Sequence, residues 1–149
     1  MSIAMGEPGE GLEGWRLTHR QAQAAMLVAL RRDSGITRFA DVGLAAAVLR
    51  DEELAGSLVK LYLSPLGEKS DGGAVARATL RAYFAASCNA AAAAAALGVG
   101  RHTVARRLRA VEVHLGRALS SCQPELEVAL RMEDLGVPLV PQGDGARDP

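Results

Sequence analysis

Aromatic side chains are nearly missing from this chain: they make up 3% of its 149 residues, as two phenylalanines, two tyrosines and one tryptophan. A hydrophobic fraction of 49% must then rest mostly on alanine, leucine and valine, a mixture that favours helices. Cysteine is confined to Cys88 and Cys122, and no cysteine–histidine spacing suits a metal ion, so two ordinary reduced thiols are the simple expectation. No apolar run reaches the length of a membrane span, and Met1–Gly14 has neither the basic start nor the apolar centre of a secretory signal. Those absences predict a cytoplasmic protein without a membrane partner. Serine, cysteine and histidine are sparse, with no pair at a spacing diagnostic of nucleophilic catalysis. Gly98-Val99-Gly100 is too short a glycine pattern to cradle a phosphate. Neither an enzyme nor a cofactor is expected.

Net charge is absent as well, since 17 basic residues balance 17 acidic ones. The balance hides a segregation. Acids gather at Glu7–Glu13, Asp51–Glu53 and Glu125–Asp134, while arginines concentrate between Arg77 and Arg117. A basic patch on a neutral body suits selective contact with an anionic partner better than a coating polycation.

The stretch from Asn89 to Gly116 organises the rest. Ala90–Leu97 predicts a helix with Asn89 as its N-cap, whose side-chain oxygen can accept from the free amides of the first turn. Gly98 ends it, Val99 supplies an apolar plug, and a second helix begins at Arg101. Val104, Leu108, Val111 and Leu115 recur at helical spacing and predict one buried stripe. Arg101, His102, Arg106 and Arg109 fall on the other face, with Arg107 at the boundary. Five arginines and a single acid, Glu112, lie between Arg101 and Arg117. A helix that is merely solvated is expected to interleave its charges. Alanine in the first helix leaves so little bulk that the second can cross it closely, as a helix-turn-helix requires.

The pattern N-x4-A-A-x-L-G-V-x-R-x-T-V-x-x-R-L resembles the Fis-type helix-turn-helix. The longer run from Leu80-Arg-Ala-Tyr-Phe84 through Arg101-His-Thr103 to Arg107-Leu-Arg109 and Glu112 is similar to the C-terminal domain of PucR-type regulators, bacterial transcription factors. The similarity covers Val75–Leu135 well and Leu17–Leu66 more loosely. It implies sequence-specific binding to double-stranded DNA, with the helix at 101–115 in the major groove, and a homodimer on paired half-sites. Relatives usually carry asparagine at His102 and often tyrosine at Arg106, so the target sequence of this chain is its own. Arg101 is the expected base reader, because its planar fork can bond a guanine edge at two points. His102 is placed to bond a base or phosphate, or to stand as a plain surface residue. Thr103 can meet a phosphate or bond its own backbone. Arg106 and Arg109 are expected to track the DNA backbone, while Arg107 either joins them or lays its stem on the core. The resemblance also gives Asn89 a phosphate contact, compatible with its capping role.

Around the motif the reading is of an all-α fold with an N-terminal helical segment and at most one short strand. Residues 1–16 are expected to be a flexible leader. Residues 17–66 resemble the end of a GGDEF-like domain, with a helix at Thr18–Asp33, a strand at Ile36–Ala40 without an obvious partner, and helices at Leu44–Arg50 and Asp51–Tyr62. Ala22, Ala25, Met26, Ala29 and Leu30 are predicted inward on the first helix, which Thr18 can cap, and Leu54, Leu58, Leu61 and Tyr62 on the last. Residues 67–73 read as a linker and 74–136 as the DNA-binding domain. Its bracing helix, Ala74–Ser87, is expected to turn Val75, Ala78, Leu80 and Phe84 or Tyr83 inward, and its last helix Leu126, Ala129 and Leu130. Residues 137–149 read as a loose tail. The competing reading is an α-helical adaptor whose basic helix binds an acidic partner. No small-molecule effector is legible.

Overall fold

Helices dominate the computed structural model, which describes residues 1–32, 35–67 and 72–138. Those residues group into two compact units: residues 1–57 with the described residues from 131 onward, and residues 58–130.

The first unit begins with strand β1 (Ile3–Met5), helix α1 (Gly11–Ala29), strand β2 (Ile36–Arg38) and helix α2 (Phe39–Val48). β1 and β2 pair in parallel, with Ile3 opposite Ile36 and Met5 opposite Arg38. α1 is the crossover between them and packs on both strands and on α2. The expected leader is thus corrected: it supplies the partner strand that Ile36–Arg38 lacked in the sequence, and the short strands number two among the described residues. Glycine in the leader serves close approach, because a Cβ on Gly6 would lie 2.1 Å from the Thr18 carbonyl oxygen. Thr18 does not cap α1. It sits inside the helix and donates its hydroxyl to the Glu7 carbonyl, while Gln21 accepts from the Glu7 amide at 2.8 Å. Ala25, Val28 and Ala29 form the buried face of α1, and Leu30 is exposed. β2 stops at Arg38 and α2 takes in Asp41–Gly43, so the helix starts five residues before the expected Leu44.

Helix α3 (Glu52–Leu63) opens with Glu52 and Glu53 where the helix dipole favours acids. Its inward face differs by one residue from the expected one. Tyr62 is buried as expected, but beside it Ala55, Val59 and Leu63 are buried, whereas Leu54 and Leu61 are exposed and Leu58 is half-buried. A helix rich in leucine on two sides offers two plausible apolar stripes, and only the neighbouring packing chooses.

The second unit contains the end of α3, helices α4 (Ala74–Ala85), α5 (Ala90–Leu97) and α6 (Arg101–Leu115), and the first part of α7 (Gln123–Asp134). α4 packs on both α5 and α6, which also pack on each other. Leu80 is buried as expected, but Val75 and Ala78 are exposed, and Arg77 and Thr79 are buried in their place. Leu126, Ala129 and Leu130 are buried along α7, joined by Met132. Most of the expected tail and the 68–71 part of the expected linker lie outside the described residues. Val137, at the start of that tail, is buried and its amide bonds the Met132 carbonyl at 3.1 Å.

Candidate nucleic-acid interface

The turn between α4 and α5 starts the site. Ser87 and Cys88 both adopt positive φ, at 51° and 62°. Non-glycine residues rarely do so, and here two in succession reverse the chain tightly. The Cys88 amide bonds the Tyr83 carbonyl at 2.9 Å, which ties the turn to the last helical turn of α4. Asn89 follows in extended backbone and caps α5, its Oδ1 accepting from Ala91 and Ala92 at 3.0 and 3.1 Å. Those two bonds take the free amides that would otherwise be unsatisfied.

At the far end Gly98 is left-handed, with φ 64°, and the Val99 amide bonds back to the Ala94 carbonyl at 3.0 Å. This is the geometry that closes a helix most cheaply when glycine stands there. Gly100 then opens α6. Val104, Leu108 and Val111 are its buried face and Leu115 is half-buried, as the periodicity predicts.

Arg101, His102, Arg106 and Arg109 are exposed, and Arg107 and Thr103 half-buried. His102, Arg106 and Arg109 follow one another at helical spacing along a single line, with Arg101 at the helix start. None of the ion pairs among the described residues engages these arginines. An open cleft of about 660 Å³ borders this side, between Tyr83 and Ala90 on one hand and Arg106, Arg109 and Glu112 on the other.

Glu112 is the acid the periodicity singled out without a role. Its carboxylate accepts the Leu119 amide at 3.0 Å and so pins the chain that leaves α6. Arg117, counted in sequence with the basic cluster, lies over the Tyr62 ring at 5.9 Å, a cation–π contact away from the α6 line. Arg77 is a positioning residue that sequence reasoning missed. Its guanidinium bonds the Leu63 and Gly67 carbonyls at 2.9 and 2.8 Å and anchors the brace to the end of α3. The one signal available was an arginine at a helical position flanked by apolar residues.

The two thiols differ sharply in setting. Cys122 is fully buried, and that burial pushes its thiol above the ordinary range, while Cys88 is half-buried in the turn. Because the thiolate is the reactive form, iodoacetamide near neutral pH is expected to alkylate Cys88 first and to reach Cys122 only in denaturant. Peptide mass spectrometry checks the order; equal rates in the native protein would contradict the burial. A thiol that keeps its proton more firmly when folded also makes stability fall as pH rises past the ordinary thiol range.

Among the described residues no group of histidines, cysteines and carboxylates could hold a metal ion, and no helix is long and apolar enough to cross a membrane. No curated protein and no solved structure matched the chain. Residues 76–132, from the brace through α5 and α6 into α7, match the PucR C-terminal helix-turn-helix domain. That family is non-catalytic and its domain fits DNA-binding transcriptional regulation. The capped α5, the glycine turn and the basic α6 all lie within this 76–132 stretch, which is similar to the PucR C-terminal helix-turn-helix domain.

Proposed function

We propose that the chain is a cytoplasmic, sequence-specific transcriptional regulator that lays α6 in the major groove of double-stranded DNA and works as a homodimer. The observation that carries this reading is the exposed line of His102, Arg106 and Arg109, headed by Arg101, opposite a buried Val104–Leu108–Val111 face. Phosphates attract such a line through counterion release, and bases are read from its first turn. Arg101 reads a guanine edge, Arg106 and Arg109 neutralise phosphates, and His102 and Thr103 lie close enough to the helix start to add contacts. Asn89 presents the α5 N-terminus to the backbone while capping it. Arg107, half-buried, contributes its head while its stem covers the core. The DNA-binding part comprises residues 74–136 on this reading. The resemblance of residues 17–66 to the end of a GGDEF-like domain rests on sequence alone, since the matched domain begins at residue 76.

Anisotropy of a labelled duplex, titrated at several salt concentrations, tests the electrostatics. Three or four neutralised phosphates predict a log–log salt slope of about −3 to −4. After selection of an operator, Arg101→Ala is expected to weaken binding to it by about 1–3 kcal/mol and to relax preference at one base pair. Unchanged affinity and preference in a folded variant would remove Arg101 as the reader. Absence of binding at low salt would instead turn the basic helix toward an acidic protein partner.

A further inference from the structure

We infer that the exposed face of α1 is where two copies of this chain pair, antiparallel, across a two-fold axis; the inference rests on the homodimer of the proposed function and assigns its surface. α1 turns Ala25, Val28 and Ala29 into its own unit, yet Leu12 and Trp15 on it and Leu30 at its end are exposed at 64%, 62% and 72%. Single exposed leucines need no explanation. These share a line: Leu12, Trp15, His19, Gln23, Met26 and Leu30 recur three or four apart on the side away from the buried face. Trp15 stacks on His19 with ring centroids 5.6 Å apart and planes 7° apart, which makes a flat platform.

The line reads alike from either end, with apolar residues at the two ends and His19 and Gln23 in the middle. A two-fold axis near Gln21 would set Leu12 against Leu30, Trp15 against Met26 and His19 against Gln23. Charge chooses the direction. Glu10 and Glu13 stand at the start of α1, and Arg31 and Arg32 just past its end. Antiparallel pairing places the acidic end of one copy on the basic end of the other, whereas parallel pairing opposes like charges. Glu13 now bonds Arg16 at 2.6 Å and Arg31 pairs with Glu52, but exposed pairs of this kind are weak and exchange partners readily. A self-complementary patch of this form is what a two-fold contact requires.

Sedimentation equilibrium of the full chain tests the surface with two charge variants, Glu10→Lys with Glu13→Lys and Arg31→Glu with Arg32→Glu. Melting temperature and helical signal confirm that each stays folded. Expected are a wild-type dimer, self-association at least about tenfold weaker in either variant alone, and recovery in their equimolar mixture. Variants that dimerise like wild type overturn the α1 surface and leave the dimer standing. Weakened variants that do not recover together overturn the antiparallel arrangement. A wild-type chain that is monomeric on and off DNA overturns the surface and the dimer alike, but leaves the Arg101 reading untouched.

Discussion

Val104→Asp is expected to abolish the cooperative thermal transition of the helix-turn-helix unit. Val104 is 0% exposed on α6, between Leu108 and the turn at Gly98–Gly100. An aspartate there would bring an unpaired carboxylate into an apolar seam and lose the valine's own burial. Together these reach about 4 kcal/mol or more, the exceptional end for one substitution and a large share of a small domain's stability. Val113→Asp is the control on the same helix: at 75% exposure it should move stability by less than about 0.5 kcal/mol. Circular dichroism melts of both variants check the pair. A Val104→Asp melt close to wild type would mean that the helical phase assigned to α6 is wrong, and with it the outward placement of the arginines.

The second large effect comes from Arg77→Met. The arginine is 7% exposed, and its fork holds two carbonyls near the end of α3, those of Leu63 and Gly67. Helix C-termini leave carbonyls unsatisfied, and a buried one without a donor costs free energy. Methionine keeps much of the stem's packing and removes both charge-assisted bonds, so the expected loss is about 3 kcal/mol. Lysine should recover only part of it, because one ammonium cannot reproduce the planar fork that spans two acceptors. Urea midpoints of the three proteins decide; a methionine variant within about 0.5 kcal/mol of wild type would show that the anchor is dispensable. DNA binding by a folded Arg77→Met protein should persist, since Arg77 lies off the exposed α6 line.

The candidate site was legible in the sequence because its information is local. Asn89 as cap, Gly98 as left-handed stop and the Val104–Leu108–Val111 spacing each act within a few residues, and each appears in the structure where periodicity placed it. Arginine placement then follows from helical phase alone. Elsewhere the same reasoning met choices that local rules do not make. α3 carries leucines on two sides, and Ala55, Val59 and Leu63 prevailed over Leu54 and Leu61. α4 buried Arg77 and Thr79 where Val75 and Ala78 were expected: distant carbonyls near the end of α3 supplied partners for the guanidinium, and the Val75 carbonyl one turn back supplied one for the Thr79 hydroxyl. Glycines in the leader looked like slack chain.

By itself, then, the sequence determined the helical character, the bounds and caps of α5, the buried stripe of α6 and the outward line of basic residues. All of these are set by propensity, capping and period within one or two turns. Only the tertiary structure decided that Ile3–Met5 pairs with Ile36–Arg38, that Gly6 lies against the Thr18 carbonyl, that Arg77 is an anchor and that Leu12, Trp15 and Leu30 stay exposed. Strand pairing, close backbone approach and the choice between two apolar faces depend on groups far apart in the chain. Their energies exist only once those groups have been brought together.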